Sequence, residues 1–299
     1  LKIKTLLYII VGFTILFTTS NWYIEQNTLK KPILLQHLIS KPYYSGTSDV
    51  HFELFYFTNR FQTPAHLTSV STEKYPNLHF QVVSSLKEYD QHLYTGNKAY
   101  IKVSKRDVWP EDIHLSELTF HFSDGTVMTE DIGEIHLYKR TFEETSFQHF
   151  GGGSSSIGES YSMANIVRTI SLTELDVPFY EKLHSFTRID WKVENGFLTG
   201  NNHEKIERFV DNLTKSRDIE SDLPIELTED HSFFLLTKID KQKMYDSNIH
   251  FLDIEIEGKF LQDERFFTNG VVHIGEQFPH VTLKQLKLYI DAKKGGDGQ

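Results

Sequence analysis

From residue 49 onward the chain alternates apolar and polar residues with a period of two. Residues 50–58, 65–72, 78–84, 99–104, 117–122 and 126–138 are rich in β-branched and aromatic side chains, which fit a pleated, half-buried surface. Residues 166–172, 186–193, 223–227, 233–239, 249–257, 265–274 and 281–290 repeat the style. Turn signals divide them, among them Thr95-Gly96-Asn97 and Ser123-Asp124-Gly125, with Asn195-Gly196 and Asn269-Gly270 as strong two-residue hairpin signals. Short strands with frequent turns predict an all-β protein. The expected architecture is two antiparallel β-sandwich domains, immunoglobulin-like or jelly-roll, over residues 47–147 and 164–293. Trp191 would be the central aromatic of the second. Residues 204–213 carry Ile206, Phe209, Val210 and Leu213 at helical spacing and read as a short amphipathic helix or a loop-borne strand.

One hairpin can be read residue by residue. A two-residue turn at Asp124-Gly125 would pair Phe122 with Val127 and Phe120 with Thr129. Leu118, Phe120, Phe122, Val127, Ile135 and Leu137 would then share the core face. Asp131 falls on that apolar side, which calls for a bulge near Ile132-Gly133.

The first 24 residues obey a different rule. Lys2 and Lys4 precede an uncharged run from Thr5 to Ile24, solidly apolar over residues 6–17. At about 1.5 Å per residue this run matches a hydrocarbon core of about 30 Å. A secretory signal would use Thr18-Thr19-Ser20 as a poor cleavage site; a retained anchor would set Trp22 and Tyr23 at the outer interface. The lack of an A-x-A site favours the anchor, and lysines held inside leave the remainder outside. The expected location is the cell membrane, single-pass with the C-terminal part outside, with secretion as the alternative. Residues 25–46 read as a stalk punctuated by Lys30-Lys31-Pro32 and Lys41-Pro42. The run Gly151-Gly152-Gly153-Ser154-Ser155-Ser156 predicts a flexible linker over residues 148–163, and residues 294–299 a polar tail.

Composition narrows the chemistry. The chain has no cysteine, which excludes a disulfide scaffold, thiol catalysis and cysteine-based zinc sites. Five lysines against one glutamate give residues 1–46 a charge of +4, and the total of −10 then leaves −14 for residues 47–299. Such an acidic exterior disfavours nucleic acid.

Specific motifs are weak. The glycine run lacks the Lys-Ser/Thr and helix of a phosphate loop, and Gly158-Glu159-Ser160-Tyr161-Ser162 lacks the closing glycine of a nucleophile elbow. Fifteen histidines invite a metal reading, but His114 and His121 face opposite sides of one strand. His121 and His136 share a face yet sit about 26 Å apart along the expected hairpin at about 3.3 Å per residue. The acidic stretch Asp211, Asp218, Glu220 and Asp222 lacks the order and glycine of a calcium loop. Asp253, Glu255 and Glu257 alternate with Ile254 and Ile256; the pattern suits a solvated strand face, or a carboxylate pair for polysaccharide hydrolysis. Exposed aromatics would serve recognition, with Trp109, Tyr100 and Tyr94 as the candidate binding residues. The reading is a non-catalytic interaction module at the cell envelope, taking a protein or glycan ligand and no cofactor. An envelope hydrolase using Glu255 and Glu257 is the alternative.

Overall fold

The computed structural model describes residues 3–44, 49–105, 112–140, 147–154, 158–197, 222–275 and 281–296. Trp109 and the 204–213 segment lie outside these residues, as do Asp211, Asp218 and Glu220. A helix, α1 (Ile3–Asn27), opens the described residues, and most of those after it are strand, as the period-two pattern requires. The largest sheet runs in the order β13 (Ile225–Leu227), β11 (Ile170–Asp176), β15 (Phe251–Gln262), β2 (His37–Tyr44), β8 (Val127–Arg140), β7 (Asp112–Phe122) and β4 (Leu67–Ser71). Strands β11 and β2 take successive stretches of one edge of β15, and β16 (Arg265–Gly275) takes the other. A second sheet joins β1 (Ile33–Leu34), β3 (Asp49–Asn59), β6 (Tyr94–Lys105) and β5 (Leu78–Gln91). The third joins β12 (Thr187–Asn195), β14 (His231–Ile239), β10 (Glu159–Ile166) and β9 (Phe147–Ser154).

Two apolar cores lie between these layers. The first holds Phe52, Leu54, Phe120 and Ile135 with Ile39 and Phe251. The second holds Leu235, Ile256 and Phe260 with Leu38, Leu252 and Ile254. Successive residues of β2 and of β15 thus enter opposite cores, because side chains alternate across a strand. Part of the stretch read as a stalk, His37–Tyr44, is therefore a central strand of the largest sheet. It is also parallel to both neighbours, β15 and β8. A strand buried on both faces shows no alternation of apolar and polar residues, so the period-two rule passes over it.

Gly133 makes that insertion possible. It pairs with His37, has φ +94°, and a Cβ there would stand 2.1 Å from the His37 carbonyl oxygen. The Asp131 carboxylate accepts from the Gly133 N–H at 2.7 Å and holds the kink. The expected bulge at Ile132-Gly133 is present: pairing passes from Leu115 with Ile135 to Glu117 with Asp131. The hairpin register itself is shifted by one. His121 pairs with Val127 and Phe120 with Met128, because three residues, Ser123-Asp124-Gly125, form the loop. Met128 is buried in consequence, and Val127 is 58% exposed.

Three glycine signals are strand residues. Gly96 lies in β6 against the Tyr89 ring, Gly151-Gly152-Gly153 in β9, and Asn269-Gly270 in β16, whose hairpin turns instead at Asp263-Glu264. The described part of the expected 148–163 linker is thus two paired strands. Residues 281–290, expected as strand, lead into helix α2 (Leu283–Gly296), which also takes up the start of the expected polar tail. Thr282 and Gln285 cap it reciprocally: Gln285 N–H donates to Thr282 Oγ1 and Thr282 N–H to Gln285 Oε1. Leu286, Tyr289 and Ile290 then face the first core.

Replacing Gly133 by alanine should cost at least about 3 kcal/mol in urea unfolding, since a positive-φ penalty adds to a backbone collision. At Gly125, with φ +86° and open space around it, alanine should cost only about 1–2 kcal/mol.

His37 and His250 give the fold a pH dependence. His37 Nε2 accepts from the Phe55 N–H at 2.9 Å, and its buried ring is pushed down to about 3 by desolvation. Burial holds His250 at about 4. Both folded values lie below the unfolded value near 6.5, so the stabilisation is complete above that pH and lost as pH falls toward 4. Urea unfolding at pH 8 and pH 5 should differ by about 2 kcal/mol per histidine, and a flat profile would contradict the buried neutral rings.

Candidate functional site

Strand β15 carries two of its three carboxylates into the protein, and the third, Glu255, is half-buried at the cleft. Asp253 and Glu257 are buried, against the solvated-face reading, and each is matched by cations from neighbouring strands. Lys41 Nζ of β2 lies 2.6 Å from Asp253 Oδ2, and His273 Nε2 of β16 lies 2.7 Å from Asp253 Oδ1. Burial alone would raise the Asp253 carboxyl. The His273 hydrogen bond and the Lys41 ammonium outweigh it and hold the group below its ordinary range.

Arg140, at the end of β8, is the centre of the second cluster. Its Nη1 donates to Glu255 Oε1 at 2.8 Å and to the Tyr44 hydroxyl at 3.3 Å. Its Nε donates to Glu257 Oε1 at 2.5 Å, and Nη2 donates to that same oxygen and to the Tyr138 hydroxyl at 3.1 Å. Burial would lower the guanidinium, but Glu255, Tyr138 and Glu257 drive it further up. Burial also pushes the Tyr138 phenol well above its usual value. Glu255 reaches Arg140 only because residue 270 is glycine: a Cβ there would sit 1.8 Å from Glu255 Oε1.

An open cleft of about 660 Å³ lies above this cluster, between the edge strands β9 and β16. Its wall on β9 is the glycine run. Gly153 pairs with Tyr161, whose ring lies where a Cβ at Gly153 would be, 2.9 Å from that position. Strand glycines covered by a cross-strand aromatic are stable, and here they also leave the wall low. Tyr44, Tyr161, Asn269 and His273 give the cleft rings, amide and imidazole. A volume of this size is ordinary for a small-molecule or oligomer site.

The sequence-expected binding residues fall elsewhere. Tyr94 is 2% exposed and donates its hydroxyl to the Asn27 carbonyl at 2.9 Å, so it is a core residue and presents no surface. Tyr100 is half-buried, with Lys98 Nζ 4.8 Å from its ring centroid and a hydrogen bond to Glu53. Glu53 also feels Asp253 and Lys41, which ties Tyr100 to the charged layer. Trp109 lies outside the described residues. Reasoning from sequence reached Glu255 and Glu257 but missed Arg140, Tyr161 and His273. Their signal is pairing across strands, which one strand's pattern does not carry.

Histidines do meet, though not where spacing along one strand placed them. His114 stands opposite His136, ring centroids 4.2 Å apart and nearly parallel. Burial and the neighbouring ring lower His136. Among the described residues no three histidine or carboxylate side chains converge as a metal site needs.

Removing the guanidinium should unfold this end of the sheet. Arg140→Met should lose about 3–5 kcal/mol, because two carboxylates remain without their partner. Arg140→Met with Glu257→Gln should recover part of that loss in urea unfolding. Equal stability of the wild-type and Arg140→Met proteins would show the cluster to be incidental.

No protein-family model matches the sequence, and no curated protein matches it. Among solved structures, the chain is similar to the D00-D0 domain of intimin, at 7% identity over 81% of this chain and 98% of that one, with a TM-score of 0.23. It is similar to zebrafish RET cadherin-like domains 1 to 4, at 10% identity over 81% of this chain and 50% of that one, TM-score 0.25. A protein of unknown function from Porphyromonas gingivalis W83 aligns at 10% identity over 81% of this chain and 97% of that one, TM-score 0.19. Superpositions this loose carry no inference about what the chain binds or does. The all-β fold stands on its own strands and pairings.

Proposed function

We propose that this chain is a membrane-tethered binding module that holds a glycan or an extended peptide segment in the cleft between β9 and β16. Supporting this is one observation: the ionisable groups at the cleft floor are matched to one another, while rings and amides line its walls. Arg140 is held by Glu255 and Glu257, and His273 by Asp253. A ligand therefore meets Tyr44, Tyr161 and Asn269, groups that recognise by stacking and hydrogen bonding. Helix α1 supplies the tether, being long and apolar enough to cross a membrane.

The hydrolase alternative fits less well. Glycoside hydrolysis needs two carboxyl groups flanking the scissile bond with space between them. Here both Oε1 atoms close on one guanidinium, which occupies that space.

The test is a binding screen of the full chain in nanodiscs against defined envelope glycans and peptides. Tyr161→Ala should weaken any binding by about ten-fold, the loss expected for one aromatic contact. Reducing-sugar release should stay at background. Turnover that Glu255→Gln abolishes would favour the hydrolase, and binding indifferent to Tyr161→Ala would remove the cleft from the account.

A further inference from the structure

The join between α1 and the β-sheets is fixed rather than hinged. Asn27 Nδ2 and Thr28 Oγ1 donate to the Tyr23 and Ile24 carbonyls and close the helix. One residue later, Leu29 is 4% exposed in the first core. Asn59, at the end of β3, clasps it: Leu29 N–H donates to Asn59 Oδ1 at 2.8 Å, and Asn59 Nδ2 donates to the Leu29 carbonyl at 2.8 Å. The buried Tyr94 hydroxyl holds the Asn27 carbonyl, and the Tyr23 hydroxyl meets His92 Nε2 at 3.0 Å. The turns after β3 and before β6 are joined in turn, since Arg60 N–H donates to the Leu93 carbonyl at 2.8 Å.

These contacts set a height. The uncharged run ends at Ile24, and Asn27 follows three residues later, about 4.5 Å farther along a helix. The headgroup layer on each side of a hydrocarbon core is about 5–7 Å deep. The turn Asn59–Gln62 therefore lies at the level of the headgroups around α1. At its tip Phe61 is 71% exposed, with the Arg60 guanidinium 5.2 Å from its ring centroid. Arg60 also pairs with Asp90 at 3.4 Å, and Lys30, next to the clasped Leu29, is exposed. An apolar ring beside a snorkelling cation is what an interfacial anchor needs.

We infer that the 59–62 turn inserts Phe61 into the headgroup layer of the bilayer that α1 spans, giving the protein a second membrane contact that fixes its orientation. This rests on the reading of α1 as a retained span.

The absence of cysteine allows clean labelling. Single cysteines at three exposed positions, Ser20→Cys, Thr63→Cys and Thr268→Cys, would carry a fluorophore in the full chain, in phosphatidylcholine nanodiscs containing doxyl-lipid quencher. Position 20 lies within the apolar run. Position 268 lies on β16 opposite Lys259; from Phe251, beside His37, β15 runs eight residues to that point, about 26 Å at 3.3 Å each. Quenching at 63 should come within about two-fold of that at 20 and stand well above that at 268. Adding Phe61→Asp should bring position 63 down to the level of 268. Quenching at 20 with none at 63 overturns the second contact while leaving the tether intact. An unchanged signal at 63 in the Phe61→Asp background overturns the role of Phe61. No quenching at 20 overturns the tether reading and this inference together.

Discussion

The fold depends on one strand being buried on both faces. Strand β2 lies between β15 and β8, parallel to both, and sends Leu38 into one core and Ile39 into the other. Parallel neighbours must come from distant parts of the chain, here residues 133–140 and 251–254. A strand near the start of the chain thereby joins one strand from its middle and one from near its end. Its first pair sets the tolerance, because His37 approaches residue 133 too closely for any side chain. The same ring, held neutral by burial, accepts the Phe55 N–H and ties the central sheet to β3. A contact made at three strands at once, with a titratable ring at its centre, is where acid would be expected to loosen the protein first.

Glycine here acts mainly as a seat for other residues' side chains. Gly96 accommodates Tyr89, Gly153 accommodates Tyr161, and Gly270 accommodates Glu255. In each case a neighbour on the paired strand fills the volume a Cβ would take. The third case joins this packing to electrostatics: the space at residue 270 lets Glu255 reach Arg140, and Arg140 in turn neutralises Glu257. Buried charges of this kind are tolerable only when their partners are in place, so one missing side chain supports the whole cluster.

These features decide what could be read in the sequence. Strands such as β3, β7 and β14 were legible because one face of each packs on a core and the other is more polar, or because β-branched and aromatic residues dominate them. Strand β2 was not, since burial on both faces erases the alternation and Lys41-Pro42 reads as a break. The glycine runs were misread for a related reason: a glycine in a linker and one under a tyrosine ring have the same letter, and only the partner strand tells them apart. The 283–296 helix had a legible start in Thr282-x-x-Gln285, but the β-branched and apolar residues around it resembled the preceding strands. At the site, the carboxylates of β15 were visible as an alternating set. Their partners were not, because Lys41, Arg140 and His273 arrive from three other strands.

Charge counted along the chain overstates the field the membrane would meet. Residues 1–46 sum to +4, yet Lys2 and Lys4 lie before the apolar run, and Lys31 and Lys41 pair with Glu130 and Asp253. Of these residues this leaves Lys30 against Glu25, and beyond them Arg60 is shared with Asp90. In physiological salt, charges farther than about 8 Å from the headgroups are largely screened. Most of the −14 on the rest of the chain is therefore neither a strong repulsion nor a guide. If α1 spans a bilayer, orientation on it falls to short-range contacts, the clasp of Asn59 on Leu29 and the apolar ring of Phe61. Such contacts are insensitive to salt, so a cleft oriented by them would face the same way whatever the ionic strength.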